Sequence, residues 1–188
     1  MIFIIYVTIV CVFQSDLKRL VAYSSVSHMI AIPLLVLSNN LLSIKTIVLL
    51  ILFHGLRSPI LFMLVGVLYS FYSRRQLIVI RGLILVSPLL SFIIVLAFFF
   101  TLSAPPFPSF ISEVYFFISS FALSDYLVYV FIVFSFLSLV YNLNWLSAIV
   151  FSSSSPSNMR VTLTYMSFMP LIVSVLICIP FISLVYLL

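Results

Sequence analysis

Charge is what this sequence has least of. Lysine, arginine, aspartate and glutamate make up 6% of its 188 residues, against 65% hydrophobic, and the mean hydropathy is +1.45. A soluble domain carries about 25% charged residues. A water-facing surface is therefore excluded, and the chain is an integral membrane protein. Glycine is almost as scarce. Gly55, Gly66 and Gly82 are the whole supply, which excludes a glycine-rich phosphate loop and a dinucleotide fingerprint. The two cysteines, Cys11 and Cys178, lie far apart in separate apolar runs, so neither a disulfide nor a metal site is expected. The alternation of a membrane β-barrel is also missing. At the N-terminus no basic residue precedes the apolar stretch and no small-residue cleavage site follows it, so it does not read as a signal peptide.

Apolar runs fill the rest, and several reach the roughly 20 residues that a membrane-spanning helix needs. The pattern predicts an all-α membrane protein of about six segments in a single domain, 1-188. Residues 1-13 form a short or partial helix, and 20-38, 46-70, 126-150 and 165-188 form spans. Residues 83-122 form one broken helix, because Pro105, Pro106 and Pro108 interrupt an otherwise apolar stretch. Each lacks an N–H and clashes with the preceding turn at a cost of about 3 kcal/mol. In lipid such breaks survive only inside protein or beside a water-filled cavity. A single crossing by two half-helices is preferred here to two crossings. Tyr141, Asn142, Asn144 and Trp145, near one end of 126-150, read as an interfacial belt.

The net charge of +5 does not point to nucleic acid. With one crossing by the broken helix, Lys18, Arg19, Arg74, Arg75, Arg81 and Arg160 fall on one side and Lys45 on the other. That asymmetry is the positive-inside pattern and puts the basic side in the cytoplasm or mitochondrial matrix.

Of the three acidic residues, Glu113 alone is set inside an apolar run, five residues past Pro108. An intramembrane carboxylate is by default a functional-site hypothesis, and discontinuous helices are where transporters place ion sites. The plainer alternative is a pairing with a neighbouring helix for assembly. His54 and Arg57, three apart, project from one face at mid-helix, next to Gly55 and Pro59. An arginine at that depth costs about 2.5–3.5 kcal/mol even on the mildest scale, so both must face the bundle interior. Ser24 and His28 share a face of the second helix, where they either carry protons with water or hold helices together.

Residues 14-29, Gln-Ser-Asp-Leu-Lys-Arg-Leu-Val-Ala-Tyr-Ser-Ser-Val-Ser-His-Met, resemble the signature of the antiporter-like subunits of proton-pumping NADH:ubiquinone oxidoreductase, complex I. Three more segments resemble chain 4 of that group, more than chain 2 or chain 5. They are His54-Gly55-Leu56 with Ile60-Leu61-Phe62, Ser73-Arg74-Arg75 through Arg81-Gly82-Leu83, and Pro105-Pro106 with Ser112-Glu113. The resemblance is specific from Lys18 to Glu113 and generic in the last two spans.

It implies the C-terminal half of an antiporter-like subunit, shortened and without the family's first helix repeat: either a separate chain supplies that repeat, or the subunit is degenerate, or the chain is a fragment. It also implies a complex I subunit that takes part in proton translocation coupled to NADH oxidation and ubiquinone reduction. Glu113 and His54 would transfer protons, with Lys18 and His28 as further candidates. Lys18 fits a role in solvation or orientation equally well. Arg75 matches the family's basic loop residue. Arg57 departs from the small polar residue usual there and would act on His54 and any nearby carboxylate through its charge. No cofactor or metal is expected in this chain, since NADH and ubiquinone are used elsewhere in the complex. The expected partners are other membrane-arm subunits, including neighbouring antiporter-like subunits, and lipids. The expected location is the mitochondrial inner membrane, ahead of a bacterial plasma membrane. The rival readings are a purely structural membrane-arm subunit and a subunit of a cation/proton antiporter.

Overall fold

The computed structural model describes residues 2–37, 40–105 and 107–152. The expected span 165-188, with Arg160 and Cys178, lies outside the described residues, as does Pro106. Among the described residues the regular structure is helical apart from one isolated bridge. The helices are α1 (Ile2–Val12), α2 (Leu17–Met29), α3 (Ala31–Val36), α4 (Leu41–Tyr72), α5 (Leu83–Val86), α6 (Pro88–Thr101), α7 (Pro108–Phe121) and α8 (Asp125–Leu146), the last running into a π-helical turn, Ser147–Phe151.

Among the described residues three stretches are long and apolar enough to cross a membrane: Leu17–Val36, Leu41–Tyr72 and Asp125–Phe151. The first is interrupted where Pro33 has no N–H to offer the carbonyl of Met29, so α2 ends there and α3 begins after Ile30. α4 carries Pro59 without a break and runs for 32 residues, about 48 Å at 1.5 Å each. With its 11 residues, α1 reaches about 16 Å, roughly half of a 30 Å hydrocarbon core.

Two loops at one end are stitched together. The Leu17 N–H donates to the Arg75 carbonyl at 3.1 Å and the Leu77 N–H to the Ser15 carbonyl at 2.9 Å, which pairs Asp16 with Gln76. Lys18, Arg19, Arg74, Arg75 and Arg81 therefore share one end of the bundle. α5 packs against the π-helical turn that ends α8, so α8 finishes at this basic end and starts at the other. Three residues separate the end of α7 from the start of α8. Residues 83–121 thus run once from the basic end of the bundle to the opposite end.

The break itself is ordered by its sequence. α6 stops at Thr101, Ser103 takes a left-handed conformation (φ 52°), and Pro108 opens α7, where a missing N–H costs nothing. Among the described residues the larger apolar cluster joins α1, α2, α4, α6 and the end of α8, with Leu17, Leu68, Ile80, Ile94 and Ile149 fully buried, and a smaller one gathers Ala31, Leu35 and Phe116.

One expectation is corrected. Tyr141, Asn142 and Trp145 are not an interfacial belt, being 2%, 8% and 4% exposed. Tyr141 and Trp145 lie four residues apart on the face of α8 that joins the core cluster, and the Trp145 ring packs edge-on against Phe98 of α6 at 5.9 Å. Aromatic composition near a helix end is shared by belts and by cores; here helix packing decides.

Candidate functional site at the broken helix

The discontinuity between α6 and α7 faces α2 and α4, and a small cavity, with about 20 Å³ of room for water, lies between them. His28 and Met29 come from the end of α2, and His54 and Arg57 from mid-α4. Ser103 comes from the break, and Ser109, Ser112 and Glu113 from the first turns of α7. The local sequence explains why polar groups converge. Proline at the break denies hydrogen bonds to the last carbonyls of α6, and these need other donors.

Those donors are present. The Ser109 hydroxyl donates to the Phe100 carbonyl at 3.0 Å, and Arg57 Nη1 donates to the Thr101 carbonyl at 3.2 Å. The Arg57 cation sits at the negative end of the α6 dipole, where positive charge is stabilising. It is 8% exposed, so its charge is held by the bundle rather than by lipid. Ser103, whose φ places its side chain over the break, donates its hydroxyl to Glu113 Oε1 at 2.6 Å. Arg57 also acts electrostatically on both Glu113 and His54.

Opposite the carboxylate, the His28 and His54 rings lie 6.3 Å apart, and His28 packs edge-on against Phe134 at 5.1 Å. His54 Nδ1 is buried without a hydrogen-bond partner in the protein. An orphaned buried nitrogen in a polar cavity calls for water. The cavity can therefore hold water between two imidazoles, one guanidinium and one carboxyl, an arrangement suited to passing protons. Among the described residues no group of three or more His, Cys, Asp or Glu side chains is placed to hold a metal ion.

Of the residues singled out in the sequence, Glu113, His54, His28 and Arg57 line this one cavity. Pro105 and Pro108 flank it, with Pro108 at the first position of α7. Lys18 and Arg75 do not line it. Both are exposed at the basic end, where the Lys18 N–H caps onto Asp16 Oδ1 at 3.0 Å and Arg75 lies 4.8 Å above the Tyr69 ring. The roles of Ser103 and Ser109 were not assigned from sequence, although serines flanking a proline break, within reach of freed carbonyls and a carboxylate, are a readable signal.

The family of transmembrane proteins described as NADH:quinone oxidoreductase/Mrp antiporter matches residues 1–138. The chain is similar to NADH-ubiquinone oxidoreductase chain 4 of Chondrus crispus, 41% identical over 121 residues, which are 64% of this chain and 25% of that protein. It is similar to the chain 4 of Chlamydomonas reinhardtii, 38% identical over 128 residues, 68% of this chain and 29% of the other. The chain thus spans about a quarter of the length of the curated relatives it matches. Among solved structures, respiratory complex I from Thermus thermophilus contains a chain of the same fold, with a TM-score of 0.83 at 23% identity over 94% of this chain and 37% of that one. The Mrp complex from Dietzia sp. DQ12-45-1b contains another, with a TM-score of 0.76 at 22% identity over 84% of this chain and 30% of the other.

Proposed function

This chain belongs to the NADH:quinone oxidoreductase/Mrp antiporter family of membrane proteins, and from that premise we propose that it is a membrane-arm subunit of respiratory complex I, equivalent to part of chain 4, that carries protons across its broken helix. The observation that carries the reading is the cavity at the break, where Glu113, held by Ser103, faces His54 and His28 across space for water. His54 and Glu113 exchange a proton through that water. Arg57 compensates charge on the carboxylate while holding the end of α6 in place. His28 extends the relay along α2, and Lys18 and Arg75 orient the chain at the basic face.

The chain holds no redox centre in this reading. NADH and ubiquinone react elsewhere in the complex, and the coupling is electrostatic: a change of charge beside the cavity loads or unloads Glu113. Its partners are neighbouring membrane-arm subunits, with the family's other helix repeat supplied by a further polypeptide segment, and its site is the mitochondrial inner membrane. Support for the assignment to chain 4 comes from relatives at about 40% identity carrying that name.

Native gel separation of solubilised membranes tests this reading, with in-gel NADH dehydrogenase staining and peptide mapping of the active band. Peptides of this chain in that band are the expected result. Their absence, with copurification into a complex that does not oxidise NADH, would make the chain part of a cation/proton antiporter instead, the alternative that the Mrp likeness favours.

A further inference from the structure

Tyr141 and Trp145 bring two polar atoms into the apolar core that the site at the break does not explain. They lie four residues apart on one face of α8, at 2% and 4% exposure. The Tyr141 hydroxyl and the Trp145 indole N–H are buried without a hydrogen-bond partner among the described residues. Asn142 is adjacent in the chain, but its amide nitrogen donates to the Ser138 carbonyl at 2.9 Å. The other neighbours are apolar: Phe98 meets the Trp145 ring edge-on at 5.9 Å, and Cys11 is fully buried in the same cluster. Unpaired buried polar atoms are rare. Two of them one helical turn apart call for a shared partner.

The group within reach that has donors to spare is Arg57, which acts electrostatically on Tyr141 as well as on Glu113. A guanidinium carries five N–H donors, and Arg57 Nη1 is engaged by the Thr101 carbonyl at 3.2 Å. One turn before it, the Phe98 carbonyl accepts from the Thr101 hydroxyl at 2.8 Å. The end of α6 that Arg57 holds therefore continues directly into the Phe98 ring that covers Trp145. Glu113 is the carboxylate that acts on the Arg57 cation. When that carboxyl takes up a proton, the buried cation loses its counter-charge and needs another acceptor. A water accepting from the Trp145 N–H and from Arg57, and donating to the Tyr141 oxygen, would have three partners, the usual number for a buried water.

We propose that Tyr141 and Trp145 hold such a water, and that Tyr141 is a positioning residue which, through it, keeps Arg57 in place when Glu113 is protonated. The positioning role rests on the proton-transfer reading above; the water site does not.

The test is X-ray radiolytic footprinting of the intact membrane complex that contains this chain. Hydroxyl radicals formed from buried water oxidise the side chains beside it, and peptide mass mapping reads the rates, scaled to the intrinsic reactivity of each residue type. Tyr141 and Trp145 should be oxidised faster than Phe116, which is similarly buried at 7% on the wall of an apolar pocket. Tyr141→Phe keeps the ring and removes the hydroxyl, so oxidation of Trp145 should fall to the level of Phe116. Trp145→Phe keeps a ring against Phe98 and should do the same to Tyr141. In Tyr141→Phe complexes that assemble and oxidise NADH, proton uptake should slow about tenfold, the worth of one hydrogen bond to a charged group. Tyr129→Phe, on the exposed face of α8, should change neither readout. Tyr141 and Trp145 rates no higher than that of Phe116, or Trp145 oxidation unchanged in Tyr141→Phe, would overturn the water site. Lost oxidation with proton uptake at the wild-type rate would overturn the positioning role. If Glu113→Gln pumps normally, the proton-transfer reading fails and the positioning role with it, while the footprint still decides the water site.

Discussion

Replacing Ser103 separates two properties that this residue combines. Its hydroxyl holds Glu113 Oε1 at 2.6 Å, and its backbone sits at φ 52°, a region that costs a residue with a Cβ about 1–2 kcal/mol. Ser103→Ala removes the hydroxyl and keeps the backbone cost. Ser103→Gly removes the hydroxyl and relieves that cost. A hydrogen bond to a charged group is worth about 1.5–3 kcal/mol, which at tenfold per 1.4 kcal/mol predicts that any step needing the Glu113 carboxylate slows roughly ten- to hundredfold in both variants. Their stabilities should differ, with the glycine variant unfolding later than the alanine variant by about 1 kcal/mol. The assay is NADH-driven proton uptake by the assembled complex in proteoliposomes, alongside its thermal unfolding. If Ser103→Gly pumps as wild type does, the position serves only the turn, and the argument for a held carboxylate is refuted.

Three further outcomes follow from the same geometry. Arg57→Ser removes the donor to the Thr101 carbonyl and should destabilise the assembled subunit by about 1.5–3 kcal/mol in thermal unfolding; unchanged unfolding would mean that the α6 end is held otherwise. His28→Phe keeps an aromatic ring against Phe134 but removes the second imidazole, so assembly should persist while proton uptake slows; unchanged uptake would make His28 a packing residue. Single cysteines at Ser15 and Gln76, in a background with Cys11→Ser and Cys178→Ser, should react with an impermeant maleimide from one side, and cysteines at Asn40 and Ser124 from the other. Labelling of Gln76 and Ser124 from the same side would mean that residues 83–121 do not cross once.

Much of this architecture is legible in the residues themselves. Apolar run length marks the helices, three prolines mark the discontinuity, and a lone carboxylate beside it marks the site. His54 and Arg57, at a spacing of three on an apolar helix, must share the interior face, and the cavity is where they meet Glu113. Sequence says less about partners distant along the chain. That Arg57 reaches the carbonyl of Thr101, 44 residues on, or that Arg75 pairs by its backbone with Leu17, depends on how helices dock, which no local pattern encodes. Tyr141 and Trp145 show the limit most clearly. Their types fit a membrane interface, but an i, i+4 pair on α8 facing α6 is buried by packing. Ser103 was readable in part: a serine before prolines is a natural turn residue, but its hydroxyl is directed at Glu113 only because Pro108 starts α7 and brings the second turn of that helix back over the break.

The most direct test of proton transfer at the break is the proton-to-electron stoichiometry of the assembled, NADH-oxidising complex with Glu113→Gln, a change that keeps shape and hydrogen-bonding capacity while removing the titratable carboxyl. A lowered stoichiometry with NADH oxidation still measurable is the predicted result. Unchanged stoichiometry would contradict a pumping role for this chain and leave it as a structural part of the membrane arm.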